Sequence, residues 1–302
     1  MVDATPKART EVRDRNFDPR LPQRRRKALI VRGLFFMATV FGLLVLMVLM
    51  IDVVAKGFSW LDWGFVSNFP SRNPEEAGIK SAIVGSLWMM GLTALFAVPV
   101  SVGAAVYLTE YANRGWFYNL IQLNIANLAG VPSVLYGILG LGLFVRFMAL
   151  ERSILAGALT MTLLIMPILI ISAQEALKAV PQGIRESAYA LGATRSQVIW
   201  SHLLPIAAPG IMTGIILSLS RAVGETAPLI MIGALTFIAF LPESVMDPFT
   251  VLPIQIFNWT SRPQADFQEI AAAAIVILMI FLFLMNLSAI SLRNHFERNR
   301  PY

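Results

Sequence analysis

Arg221 and Glu225 are set in the stretch Ser-Arg-Ala-Val-Gly-Glu-Thr-Ala-Pro, Ser220 to Pro228, within a long apolar run. Their i, i+4 spacing puts both on one helix face. A charged side chain at the centre of a bilayer costs roughly 2.5–3.5 kcal/mol on insertion scales, so neither group is expected to face lipid. Pairing lowers that cost and turns both groups toward the interior of a helix bundle. The arginine guanidinium stays charged and presents a planar fork that matches two oxygens of a phosphate or carboxylate. An anion could therefore replace Glu225 as its partner, with Glu225 limiting the positive field and accepting a proton-bearing ligand oxygen. A purely structural ion pair is the alternative. Gly224 and Pro228 loosen the helix here, and freed backbone groups are tolerated where they line a cavity.

A second polar constellation lies between Glu186 and Pro205, wedged between two apolar segments. Pro181 suits a first helical position, and Ile184, Ala188 and Leu191 recur at i, i+4, i+7 to form an apolar face. Gly192 can adopt the left-handed conformation that ends such a helix. Thr194 and Gln197 form a capping box that starts another, with Val198, Ile199 and Leu203 as its apolar side and Pro205 as its end. A capped helix pair of this kind on a membrane protein calls for a soluble partner.

The elements that position these residues follow from composition. Apolar residues make up 57% of the 302 and charged residues 14%, well below the roughly 25% charge of a soluble domain. Six runs reach the ~20 residues needed to cross a bilayer, near Leu29–Val54, Ser81–Tyr107, Leu120–Val145, Ser153–Ala173, Ala208–Leu235 and Ile270–Leu292. The third is polarised by Asn119, Gln122, Asn124 and Asn127 and interrupted by Pro132. Lysine and arginine crowd the N-terminal tail and recur at the C-terminus as Arg293, Arg298 and Arg300, which places both ends in the cytoplasm. An even number of spans agrees, and sets Lys178, Arg185 and Arg195 inside with Glu186. The resulting organisation is a basic cytoplasmic tail (1–27), a first anchor helix (28–56) and a periplasmic loop (57–79). A five-helix core (80–292) containing the polar loop 175–205 and a cytoplasmic tail (293–302) complete it.

Several functions are disfavoured by the same residues. With no cysteine and only His202 and His295, thiol catalysis, disulfides and histidine or cysteine metal centres are unpromising. No Gly-x-x-x-x-Gly-Lys-Ser/Thr loop is present, so ATP binding by that route is excluded. The basic tail reads as a topology signal that touches anionic lipid rather than a nucleic-acid site, since Asp3, Glu11, Asp14 and Asp18 dilute it. A proton-coupled carrier could use an Arg–Glu pair, yet it needs no capped cytoplasmic helix pair. An intramembrane hydrolase would need a nucleophile and base within the spans, which the chain lacks.

The cytoplasmic loop resembles the Glu-Ala-Ala loop of type I ABC importer permeases, through Glu186, Ser187, Ala188, Gly192 and the Leu204-Pro205 pair. Further residues resemble the A-type (PstA-like) permeases of phosphate importers. These are Gly130-Val-Pro-Ser133, Tyr136-Gly137, Arg221 through Leu229, and Leu252-Pro-Ile-Gln-Ile-Phe-Asn-Trp259. The resemblance implies an all-α polytopic fold of six transmembrane helices with a cytoplasmic coupling helix. It places Arg221, Glu225 and Thr226 on a phosphate translocation path in the inner membrane, working by alternating access. It assigns Arg185, Glu186, Ser187, Ala188, Gly192 and Thr194 to coupling with an ATPase. The implied partners are a homologous C-type permease, two ATP-binding subunits that hold ATP and magnesium, and a periplasmic phosphate-binding protein. No cofactor is bound by the chain itself, which is a permease and not an enzyme. The binding protein is expected on the outer loops, including Phe249–Trp259. Some members carry an arginine near the position of Ile171; here the sister subunit or Arg146 would supply that charge.

Overall fold

In the computed structural model, which describes residues 21–234 and 237–298, the apolar runs are helices. Residues 1–20 and 299–302 of the expected tails, and Leu235 at the expected end of the fifth span, lie outside the described residues. The chain divides into two compact units, 1–52 and 53–302. The first is described as most of one helix, α1 (Leu21–Gly57). It starts at Leu21 rather than Leu29, and its charge-free core from Gly33 to Ile51 is bounded by Arg32 and Asp52.

In the second unit the end of α1 is followed by the short α2 (Trp63–Ser67), whose N-terminal amides are capped by Asp62 accepting from Phe65 N at 2.6 Å. Its long helices are α3 (Lys80–Val106), α6 (Ile154–Lys178), α9 (Leu204–Gly224) and α12 (Ala265–Arg298). Between them lie α4 (Trp116–Ala129), α5 (Ser133–Gly140), α7 (Gln182–Ala190), α8 (Arg195–Val198), α10 (Ala227–Ile232) and α11 (Leu252–Thr260). Among the described residues, five helices are long and apolar enough to span a bilayer, and a bent pair supplies a sixth if counted as one span. The expected all-α polytopic fold is therefore present, with three departures in detail.

First, the expected third span is not straight. Helices Trp116–Ala129 and Ser133–Phe147 meet at 105°. Pro132 has no amide to give to the preceding turn and pushes Val131 out of the helical region. The bend is tied by Tyr136, whose hydroxyl donates to Leu128 O at 2.8 Å. Of the polar residues before it, Asn124 donates back to Leu120 O at 2.8 Å and Gln122 to the Tyr118 hydroxyl at 3.1 Å.

Second, Pro205 does not end the short helix that starts at the capping box. α8, a π-helical turn over Ile199–Leu203 and α9 run on as one helix, Arg195–Gly224. A regular turn would drive the proline ring into the carbonyl four residues back; the wider π turn relieves that contact. Third, the fifth span stops at Gly224 instead of continuing toward Leu235. Glu225 is extended (φ −77°, ψ 121°), and α10 restarts with Pro228 in its first turn. Pro228 cannot donate to the Gly224 carbonyl, so an unbroken helix would lose a bond there.

Packing is organised in three apolar clusters. One surrounds Met89, Met161, Ile165 and Phe249; a second gathers Leu177, Val180, Ala188, Val198 and Leu203; the third joins Phe65, Ile79, Leu252, Trp259 and Ile270. α6 is the central helix, with its N-terminal amides satisfied by Ser153 Oγ, Asp247 O and Val245 O. Gly85 lets the 250 loop seat on α3, since a Cβ there would lie 2.0 Å from Thr250 O. The Phe249–Trp259 stretch, expected as a docking surface, is instead core. Phe249, Val251, Leu252, Ile254 and Trp259 are all buried, and Phe257 is the large apolar residue left exposed. With Leu252 N donating to the buried Ser86 Oγ at 2.9 Å, these side chains close one end of the bundle.

Candidate functional site

Arg221 sits in the last turn of α9 and Glu225 is its C-cap residue. A cation in a last turn complements the negative end of the helix dipole. Arg221 Nε donates to Glu225 Oε1 at 3.3 Å, and the two side chains are 50% and 18% exposed. The i, i+4 pair thus forms although the helix ends between its members. It does so because Glu225 N still bonds to Ala222 O at 3.2 Å, which keeps the residue close to the last turn. Thr226 follows at the N-terminus of α10 without a side-chain cap bond, half-buried. Next to Arg221, the buried Ala222 and Val223 line a space of about 10 Å³ with Met89, Met90 and Met161. That space is no larger than a water molecule. Half of the Arg221 side chain is left uncovered by this chain.

The break is held from behind. α5 packs on α10, and Gly137 makes the approach possible: a Cβ there would lie 2.7 Å from Pro228 Cα. Next to Arg221, Ser220 Oγ bonds to Ile216 O and to Asn286 Oδ1 on α12, fixing the last turn of α9 from the other side. Arg146 lies exposed on the π-helical turn Leu141–Phe147, at the far end of the bent pair.

The second constellation forms a knuckle. α7 is flanked by Pro181 at its N-cap, one place before the expected first helical position, and by Gly192 with φ +81°. Thr194 Oγ1 accepts from Gln197 N, and Gln197 Oε1 accepts from Thr194 N at 2.8 Å, completing the capping box. Ala188 is buried with Val198, Ile199 and Leu203, whereas Glu186, Ser187, Gly192 and Thr194 are exposed. Leu191 departs from the expected apolar face. As the C-cap residue it lies beyond the helical register and is 89% exposed. His202 is exposed on the π turn, and Ile171 packs against the buried side of the knuckle.

Arg185 behaves differently from its exposed neighbours. Its guanidinium turns inward, donating from Nη1 to Val180 O at 2.9 Å and from Nη2 to Leu177 O at 2.9 Å and Glu110 Oε1 at 3.0 Å. Arg195 stands 5.0 Å from the ring centroid of Tyr111. Glu110 and Tyr111 lie on the π-helical turn Tyr107–Tyr111 that extends α3. Sequence reasoning missed both, as it did Asn286. For Glu110 the available signal was a lone acid at the end of an apolar run; for Asn286 it was one amide inside another.

Residues 97–300 match the family described as binding-protein-dependent transport system inner membrane component. The chain belongs to that family. Among relatives of this inner membrane component, the phosphate transport system permease protein PstA 1 of Mycobacterium tuberculosis is 31% identical over 94% of each chain. PstA of Yersinia pestis is 30% identical over 88% of this chain and 90% of its own. The fold is shared with a bacterial ABC transporter involved in alginate import, at a TM-score of 0.65 and 18% identity, covering 91% of this chain and 99% of the other. It is shared also with the methionine ABC transporter MetNI, at a TM-score of 0.59 and 18% identity over 71% and 94% of the two chains.

Proposed function

We propose that this chain is the transmembrane permease subunit of an ATP-driven importer of inorganic phosphate. The observation that carries the reading is the half-open guanidinium of Arg221, stationed where a membrane helix breaks, in a chain similar over most of its length to phosphate transport permeases. Arg221 receives the anion, Glu225 yields its place as counter-ion, and Thr226 offers a hydroxyl beside them. The path is shared with a homologous second permease, toward the half of the Arg221 side chain that this chain leaves uncovered. Glu186, Ser187, Gly192 and Thr194 form the exposed knuckle that a separate ATP-binding subunit grips, with Leu191 as its apolar tip. ATP and magnesium stay on two such subunits. A periplasmic phosphate-binding protein delivers the substrate, and this chain catalyses no reaction and binds no cofactor.

The orientation that fits this arrangement puts both termini and the knuckle in the cytoplasm of a bacterial inner membrane, in keeping with the distribution of lysine and arginine. The test is uptake by proteoliposomes holding the full transporter. Labelled phosphate should enter when ATP and the loaded binding protein are present, and excess sulfate or molybdate should not compete. Uptake driven by a proton gradient without ATP would refute the reading in favour of a carrier.

A further inference from the structure

Building on the coupling role proposed for the knuckle, we propose that Arg185 is no part of the surface gripped by the ATPase. It is the internal strut that makes α3 and α6 move when the knuckle moves, with Glu110 as its anchor. Arg185 and Glu110 are 15% and 10% exposed, far less than the Glu186–Gly192 face. One side chain joins three elements. It belongs to α7, its two carbonyl partners close the C-terminal end of α6, and its carboxylate partner sits on the turn that extends α3.

The chemistry suits a strut better than a contact surface. Leu177 O lies in the last turn of α6 and Val180 O just beyond it, where carbonyls lack the regular helical partner, and a planar five-donor fork can serve these and a carboxylate together. In a poorly solvated place such charge-assisted bonds are the strong ones. The π turn at Tyr107–Tyr111 displaces the end of α3 from a regular helical path, and it is this turn that carries both Glu110 and Tyr111. Arg195 over the Tyr111 ring gives the same end of α3 a second tie, now to the start of the α8–α9 helix. Without the strut, an ATPase could still grip the exposed face, but the knuckle would move without carrying α3 and α6.

The experiment compares phosphate uptake per ATP hydrolysed in reconstituted transporters carrying Glu110→Gln, Arg185→Gln or Arg185→Lys. In both glutamine variants the ATP-binding subunits should co-purify in normal ratio, while uptake per ATP falls about tenfold, a typical size for lost coupling between sites. Arg185→Lys keeps the pair with Glu110 but not the fork, so it should fall in between. Unchanged uptake per ATP in the glutamine variants would overturn the proposal. So would loss of the ATP-binding subunits from Arg185→Gln, which would assign Arg185 to the gripped surface. Should the glutamine variants fail to accumulate, the absence of native cysteine permits Glu110→Cys with Arg185→Cys, joined by a bifunctional thiol reagent. Coupling restored by the reagent supports the strut, and uptake blocked by it refutes a fixed link. A failure of the substrate reading looks different: the unaltered transporter would then take up no phosphate at all.

Discussion

Replacing Arg221 by glutamine separates the contribution of its charge to transport from its contribution to folding. The guanidinium is half exposed and makes one 3.3 Å contact with Glu225. Ion pairs of that kind contribute about 0.2–1 kcal/mol, and a glutamine amide can still donate to the carboxylate. Protein levels in the membrane should therefore stay near normal. Transport is another matter. A unit anion 4 Å from the guanidinium gains about 4 kcal/mol at an effective dielectric of 20 and about 1 kcal/mol in water. A group that is half exposed at a helix break lies between these limits. At roughly 1.4 kcal/mol per decade, the loss amounts to about 5-fold to 1,000-fold in occupancy of the path.

The assay is the initial rate of labelled phosphate uptake, normalised to the amount of permease, with ATP hydrolysis measured in parallel. Arg221→Gln should lower uptake within that range. Arg221→Lys, which keeps the charge and loses the planar fork, should fall between it and the unaltered protein. Full uptake by Arg221→Gln at normal protein levels would refute the reasoning and reduce the pair to a structural tie.

Two further outcomes bear on the knuckle. Gly192 has φ +81° with no atom within 4 Å of the place its Cβ would take, so Gly192→Asp meets no clash and costs only about 1–2 kcal/mol of left-handed strain. The permease should remain in the membrane while ATPase stimulation is lost; full stimulation would contradict the coupling role. Leu191→Cys introduces a thiol into a cysteine-free chain at an 89% exposed position. A membrane-impermeant maleimide should label it in inverted vesicles stripped of the ATP-binding subunits and not in intact cells, and the reverse pattern would overturn the orientation.

The helical framework was legible because apolar length is a local property of the chain. The capping box at Thr194 and Gln197 and the left-handed Gly192 were legible for the same reason, since each depends on residues within a few positions of one another. The interruption at Pro132 and the loosening at Pro228 were legible too; what the sequence concealed is that Pro205 would be accommodated differently. Pro205 is absorbed by a π turn and stays inside a continuous helix, while Pro132 and Pro228 mark a bend and a break. The difference lies in the partners available. Gly137 lets α10 sit against α5 where each restarts, and nothing in the local pattern reports that contact. Burial of Phe249–Trp259 was hidden likewise. An apolar loop reads the same whether it faces a partner or the bundle, and the choice is made by Gly85 and Ser86 on α3, far away in sequence.

On the proposed reading, the break after Gly224 lets force and charge share one element. From Arg195 to Gly224 the chain is a single helix of 30 residues, about 45 Å long at 1.5 Å per residue. Its first turns belong to the knuckle, and its last turn carries Arg221. A displacement of the knuckle would then be delivered along one continuous helix to the guanidinium, with no loop between. Beyond Arg221 that helix ends, and Glu225 and Thr226 form a non-helical joint before α10. Because α10 is seated on α5 through Gly137 and Pro228, the joint can flex while α10 keeps its place. Arg221 would then shift relative to Glu225, whose backbone belongs to the joint, and lengthen a contact that is already 3.3 Å. On the proposed reading, that is the step at which an anion replaces the carboxylate. A helix running unbroken through Glu225 would move both members of the pair together and leave the anion no opening.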